Sequence, residues 1–316
     1  MKKKFLALTL SACMAASLTA CGGSKTAETT AAAAAEAAGT EAAAAATTEA
    51  ADAAGTEAAD AAAEITTVTD GKLTVATSPD FAPYEFYAIG ADGTPELAGF
   101  DMALAPYIAD HLGLELEVVT VDFDGVLSEL QTKSVDLGMA GLSPDPKREG
   151  IMDFSDLYYM GGQSLVTVKA NADKFNSFEA INKSDVSVGA QTGSIQMDLA
   201  NTNSPDADII ALPKVTDIIS ELLAGKMDAA FIETDVAKSY QKNYPELELV
   251  MDVPYDSEGS AIGVCKGNEA LMAGVNEAIA AAKADGSLEK FIADANEQAS
   301  GEKYEGLLDA EGKTQQ

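Results

Sequence analysis

The chain has 316 residues and carries 51 acidic against 20 basic side chains, a formal charge of −31. That balance argues against a nucleic-acid partner, because phosphate contacts need a basic face. A single histidine, His111, argues against a histidine-based triad or a zinc site of several histidines, and no GxxxxGK[ST] loop marks a nucleotide site. No metal and no cofactor is expected.

The N-terminus, "MKKKFLALTLSACMAASLTAC", opens with three lysines, runs apolar and stops at small residues before Cys21. This is the layout of a secretory signal peptide over residues 1–20. Residues 5–20 are too few, and too interrupted by Ser, Thr and Cys, to span a bilayer. Leu18-Thr19-Ala20-Cys21 resembles the lipobox of bacterial lipoproteins. The resemblance implies cleavage before Cys21, lipidation of Cys21, and anchoring on the extracytoplasmic face of the cell membrane. An ordinary signal peptide with a nearby cysteine is the alternative. More than one acyl chain would anchor durably, since each buried methylene contributes roughly 0.8 kcal/mol.

Residues 21–70 are rich in Ala, Thr and Glu, and "AAGTEAA" occurs at 37–43 and again at 53–59. No apolar stripe is present to bury, so the stretch reads as a solvated tether. Its acidity repels anionic lipid, which leaves the holding to the lipid on Cys21. With Cys13 removed and Cys21 modified, Cys265 stands alone. No internal disulfide forms, and Cys265 is expected as a small buried apolar residue.

From residue 71 strand and helix signals alternate. "LTVAT" (73–77) reads as a strand. Residues 101–113 read as a helix with Met102, Ala105, Ile108 and Leu112 on one face and Gly113 ending it. Strand 114–121, helix 126–133 and a short buried strand at 135–141 follow. The second half continues in the same way, with strand 186–190, a helix from about Ser194, strand 207–212, helix 216–225, strand 228–232 and another helix. Strand 260–266 leads to a long helix, 268–286, with Leu271, Met272, Val275 and Ile279 on its stripe, and a shorter one near 287–295. This alternation implies an α/β fold with helices on both sheet faces.

Five motifs then fall in order: "TSPDFAPYEF" (77–86), "GFDMALAPYIADHLG" (99–113), "DFDGVLSELQTKSVDLGMAGLSPDPKREGIMDFSDLYY" (122–159), "VGAQTGSIQ" (188–196) and "LLAGKMDAAFIE" (222–233). Together, over roughly 71–298, they resemble the family 3 bacterial extracellular solute-binding proteins, the amino-acid receptors of ABC importers. The resemblance implies a two-lobe periplasmic-binding-protein (Venus-flytrap) fold with two hinge-crossing strands and ligand in the cleft. Lobe one is then 71–160 with 260–303, lobe two is 164–255, and 304–316 is a C-terminal tail. Hinges are expected near Met160–Gly162 and Ser257–Gly259. The implied partners are a free amino acid, of polar or neutral side chain, and an ABC transporter permease, with the receptor a monomer.

Within that resemblance one residue stands out. Arg148 is the sole arginine among nineteen lysines. It matches the family's arginine that binds a ligand's α-carboxylate, a task suited to a planar guanidinium with parallel N–H donors. An exposed arginine in a helix's first turn is the plain alternative. Gly141 permits close backbone approach, and Ser143 matches a carboxylate donor. Gly193-Ser194 opens a helix whose N–H groups suit an anion, or is simply a cap. Glu233 aligns with the acid that meets the ligand's ammonium, or sits favourably before a helix. Phe81 and Phe123 match aromatic positions that sandwich the ligand's side chain. Tyr84 and Phe86 read as core or rim.

Ser78 matches a position where receptors for basic amino acids often carry an acid, so a neutral serine argues against a lysine or arginine ligand. Gln191 is placed to reach a polar side chain. Two departures from the family pattern occur. Ala103 replaces an acid, and Ile195 replaces a threonine that often contacts the carboxylate. No catalytic residue is expected. The rival readings are an enzyme on the same fold, resembling cyclohexadienyl dehydratases with Glu233 or Glu85 as proton donor, and a sensor subunit of a signalling receptor.

Overall fold

Successive side chains of a strand point to opposite faces, so a strand that is apolar at nearly every position needs cover on both sides of its sheet. The computed structural model describes residues 65–90, 92–257 and 259–301. The signal peptide, Cys21, most of the tether, Glu258 in the second expected hinge, and the 304–316 tail lie outside the described residues.

The chain begins with β1 (Lys72–Thr77) and a small antiparallel meander of β2 (Asp80–Phe81), β3 (Glu85–Ile89) and β4 (Pro95–Ala98). Next come α1 (Phe100–Leu112), β5 (Glu115–Thr120), α2 (Phe123–Gln131), β6 (Leu137–Gly138), a 3₁₀ turn at Pro146–Arg148, and β7 (Met152–Phe154). After a crossover follow β8 (Gln163–Val168), α3 (Phe178–Ile181), β9 (Ser187–Gln191), α4 (Ile195–Asn203), β10 (Asp208–Leu212), α5 (Val215–Leu223), β11 (Ala229–Glu233), α6 (Thr234–Asn243) and β12 (Leu247–Asp252). The chain then returns to β13 (Gly263–Cys265), α7 (Glu269–Ala284) and α8 (Ser287–Gln298).

Two five-stranded mixed sheets result. The first has order β5-β1-β6-β13-β7, with β1 parallel to β5 and β6, and β13 antiparallel to β6 and β7. The second has order β10-β9-β11-β8-β12, with β9 parallel to β10 and β11, and β8 antiparallel to β11 and β12. Leu73 and Val75 of β1 join Leu104, Ile108, Leu271 and Val275 on one face, whereas Ala76 joins Val126, Leu130 and Met152 on the other. In the second sheet Ala230 and Ile232 pack with Ile218, Leu222 and Val236, while Ala229 and Phe231 face Val188, Ala190 and Ala200. Each fully buried Leu, Ile or Val contributes about 1.5–3 kcal/mol.

Local signals set the helix ends. α1 ends at Gly113, and Gly225 follows α5, both with left-handed backbone as the spacing predicts. The buried face of α1 is formed by Leu104, Ala105, Ile108 and Ala109. Met102 and Leu112, expected on that face, are only partly buried against the core. Cys265 is free and buried, as expected.

The two crossing segments pair with each other. Tyr158 N–H donates to the Ser260 carbonyl at 2.9 Å, and Ser260 N–H to the Tyr159 carbonyl at 2.8 Å. The Tyr255 hydroxyl ties them again, donating to the Gly161 carbonyl and accepting from the Gly259 N–H, each at 3.2 Å. Residues 65–70, assigned to the tether by composition, pack on the fold instead. Ile65 lies against the core beside Gly274, Val68 N–H donates to Asp136 Oδ1 at 2.8 Å, and Asn268 Nδ2 donates to the Thr66 carbonyl at 2.8 Å. Among the described residues no helix is long and apolar enough to cross a membrane.

Candidate functional site

Arg148 ends the 3₁₀ turn that follows β6, a turn opened by Asp145, whose carboxylate accepts the Lys147 N–H at 2.9 Å. The arginine is only 7% exposed. Nη1 donates to the Ser143 carbonyl at 3.3 Å and Nη2 to the Gly193 carbonyl at 3.0 Å, so it reaches from the first sheet's layers to the second's. Its guanidinium carbon stands 5.6 Å from the centre of the Phe123 ring, a cation–π arrangement. Among the described residues no carboxylate forms an ion pair with it. Burial pushes its pKa down, and Asp145 and Asp198 partly oppose that. A desolvated cation held this way gains strongly from an anion.

Gly141 has φ +56°, and a Cβ there would lie 2.8 Å from the Phe81 ring. Its N–H is engaged: it donates to Asp101 Oδ2 at 3.1 Å. The glycine therefore serves by making room for Phe81 rather than by offering its N–H. Phe81 itself leans on Tyr84, ring centres 5.3 Å apart. Asp101 opens α1 and is fully buried beside Glu85 and Tyr158, with its carboxyl pushed up to about 6 by burial. Burial and the Asp101 charge push Glu85 well above the usual carboxylate range.

On the second sheet's side, Ser194 caps α4. Its Oγ accepts the Met197 N–H at 3.2 Å and donates to the Gln191 carbonyl at 2.7 Å. The plain capping role is thus occupied, and the other N–H groups of the α4 first turn remain oriented along the helix axis beyond Gly193. Gln191 Nε2 donates to Asp80 Oδ2 at 3.2 Å and to the Pro213 carbonyl at 3.1 Å, and Ser78 Oγ donates to Asp80 Oδ1 at 2.9 Å.

Glu233 ends β11 and caps α6. Oε2 accepts the Val236 N–H at 2.7 Å, and Oε1 accepts from the Gly162 N–H and the Tyr84 hydroxyl, each at 3.3 Å. At 3% exposure it is pushed up from 4.5 to about 7, chiefly by burial, while the backbone bonds pull the other way.

The ten residues expected from sequence therefore line one seam between the two sheets' layers, eight of them buried, Gly141 half-buried and Gly193 exposed. Arg148, Phe123, Ser143, Gly193 and Ser194 form one end of it. Phe81 and Gly141 lie between, and Glu233 meets Tyr84 at the back. Ser78 and Gln191 are joined through Asp80. Three participants were not anticipated: Asp80, the Tyr84 hydroxyl, and the buried pair Gln196 Nε2 to Gln163 Oε1 at 2.8 Å. The signal for Asp80 was an acid set between Pro79 and Phe81 in a stretch that otherwise buries.

The model of the bacterial extracellular solute-binding proteins, family 3, matches residues 73–295. The arginine-binding extracellular protein of Bacillus subtilis is 33% identical over 224 residues, covering 70% of this chain and 84% of that one. An amino-acid ABC transporter substrate-binding protein of Streptococcus pneumoniae, solved with L-arginine, superposes with a TM-score of 0.70 at 33% identity, over 73% of this chain and 97% of the other. An ancestral amino-acid-binding protein, a precursor of cyclohexadienyl dehydratase, superposes with a TM-score of 0.63 at 33% identity, over 71% and 95%. Each of these similar proteins is described as a binding protein.

Proposed function

The chain belongs to the bacterial extracellular solute-binding proteins, family 3, and on that basis we propose that it captures a free amino acid outside the cytoplasm and delivers it to the permease of an ABC importer. The observation that carries this reading is Arg148: a buried guanidinium, braced by two carbonyls and an aromatic ring, with no carboxylate of its own among the described residues.

In this reading Arg148 grips the ligand's α-carboxylate, aided by the Ser143 hydroxyl and the first turn of α4 beyond Gly193 and Ser194. Glu233, with Tyr84 beside it, meets the ammonium. Phe81 and Phe123 flank the side chain, with Gly141 giving Phe81 its space. Ser78 and Gln191 stand at the far end. Lobe one (71–160 with 260–303) binds first and lobe two (164–255) closes over it, because the ligand gains contacts in the closed state that the open one lacks. A signal peptide over 1–20 directs export and is removed, and a lipid on Cys21 with the tether behind it holds a monomeric receptor to the membrane.

Ser78, in place of an acid, favours a polar or neutral side chain. The similarity to arginine-binding proteins favours arginine. The neutral reading is preferred because Asp80, the carboxylate beside Ser78, is already taken up by Val215 and Gln191. A thermal-shift screen over the twenty amino acids tests this. A ligand at a hundred times its dissociation constant adds about 2.7 kcal/mol of stability. A polar uncharged amino acid is expected to give the largest shift. Arginine giving it would overturn the preference, and no shift with any would overturn the receptor reading. Recovery of the ligand unchanged after incubation separates a receptor from a dehydratase using Glu233 or Glu85.

Binding should also move a proton. Glu233 titrates near 7, raised from 4.5. An ammonium beside it favours the carboxylate, so binding lowers its pKa. Affinity then strengthens as pH rises through about 7 and weakens as pH falls through it. At pH 7 roughly half a proton per ligand is released, since a group titrating there is half protonated. Calorimetry in buffers of different ionisation enthalpy is expected to show this release, and Glu233→Gln to abolish it. Net proton uptake on binding would contradict the ammonium role.

A further inference from the structure

Asp80 belongs to β2, on the first sheet's side of the seam, yet most of its bonds reach the other side. Oδ2 accepts the Val215 N–H at 2.5 Å and Gln191 Nε2 at 3.2 Å, and its backbone carbonyl accepts the Tyr240 hydroxyl at 3.1 Å. Ser78 Oγ, on its own side, holds Oδ1 at 2.9 Å. Val215 is the first residue of α5, and Lys214, the residue before it, offers no side-chain cap. A helix start needs acceptors for its first N–H groups and favours a negative charge. α5 receives both from a residue more than a hundred positions away in sequence.

We infer that Asp80 is a positioning residue for ligand capture, a latch that caps α5 across the cleft and holds Gln191 so that the two lobes stay closed over the ligand. This rests on the receptor reading above. The three cross-seam donors sit on β9, α5 and α6, all elements of the second sheet's layers. Lobe opening separates Asp80 from all three together. The bonds therefore exist only in the closed arrangement, and a contact made in one state alone shifts the population toward it. Acting on closure rather than on the ligand directly, the latch governs how long a captured amino acid stays.

The test measures binding kinetics of the best amino acid from the thermal-shift screen. Asp80→Ala, shown to be folded by circular dichroism, is expected to raise the dissociation rate about tenfold, the equivalent of about 1.4 kcal/mol, with the association rate unchanged. Asp80→Asn keeps an acceptor for the Val215 N–H and is expected to recover most of the slow dissociation. An unchanged dissociation rate in Asp80→Ala overturns the latch. Should the wild-type chain bind no amino acid, the receptor reading fails on its own, and the latch is judged by paired spin labels at exposed Ser128 on α2 and Thr202 on α4. Without ligand, Asp80→Ala is then expected to show a larger open fraction than wild type. Identical distance distributions overturn it.

Discussion

Arg148→Lys is expected to keep the fold and to bind the amino acid more than about tenfold more weakly in calorimetry. A guanidinium has five N–H donors. Two groups are already engaged, one with Ser143 and one with Gly193, which leaves donors in the same plane for a carboxylate. An ammonium has three donors that point apart, and bonding the same two carbonyls leaves one. The lysine also loses the guanidinium's cation–π contact with Phe123. A charge-assisted hydrogen bond contributes roughly 1.5–3 kcal/mol, which corresponds to about tenfold or more in affinity. Unchanged affinity would remove Arg148 from the site.

Gly99→Ala is expected to cost stability on a comparable or larger scale. Gly99 precedes α1 with φ 115° and ψ 164°, backbone that essentially only glycine adopts. A Cβ there would collide with the Tyr84 carbonyl oxygen and lie 2.6 Å from its carbon and 2.9 Å from Glu85 Cα. These are backbone atoms and have no rotamer with which to withdraw. They are also held in place, since the Tyr84 carbonyl accepts the Asp101 N–H at 2.9 Å and the Pro83 carbonyl accepts the Phe100 N–H at 3.1 Å. The strain and the clash together amount to roughly 3 kcal/mol or more, a fall in thermal midpoint of about 10 °C for a chain of this size. Gly150→Ala is the control: a Cβ there meets nothing within 4 Å and the backbone is not left-handed, so its midpoint should stay near wild type. Because Asp101 holds Gly141, surviving Gly99→Ala protein should also bind its amino acid less tightly.

The α/β layering was legible because its long helices carry strong stripes. Leu271, Val275 and Ile279 on α7, and Ile218, Ile219 and Leu222 on α5, are all buried. β8 was not legible. Ser164 and Thr167 sit fully buried in it, satisfied by Thr234 Oγ1 at 2.8 Å and the Asp228 carbonyl at 2.6 Å, so the polar residues break the apolar run without breaking the strand. β6 is shorter than residues 135–141 suggested, with only Leu137 and Gly138 in its ladder. A two-residue strand such as β2 leaves no period to read.

The same contrast holds at the seam. A lone arginine in a lysine-using chain, placed in a recognisable motif, points to itself. Asp80 does not, because an acid after proline reads as a turn, and the atoms that give it meaning, on Gln191 and Val215, lie 111 and 135 residues away. Tyr84 read as core or rim, and its ring is core; its hydroxyl, the part that reaches Glu233, becomes visible only when the two sheets' layers come together.

The most direct test is a crystal structure of the chain grown with the amino acid that gives the largest thermal shift. The ligand's carboxylate should lie within hydrogen-bond distance of two Arg148 nitrogens, with its ammonium against Glu233. An Arg148 side chain turned out into solvent, with the carboxylate held elsewhere, would contradict the account.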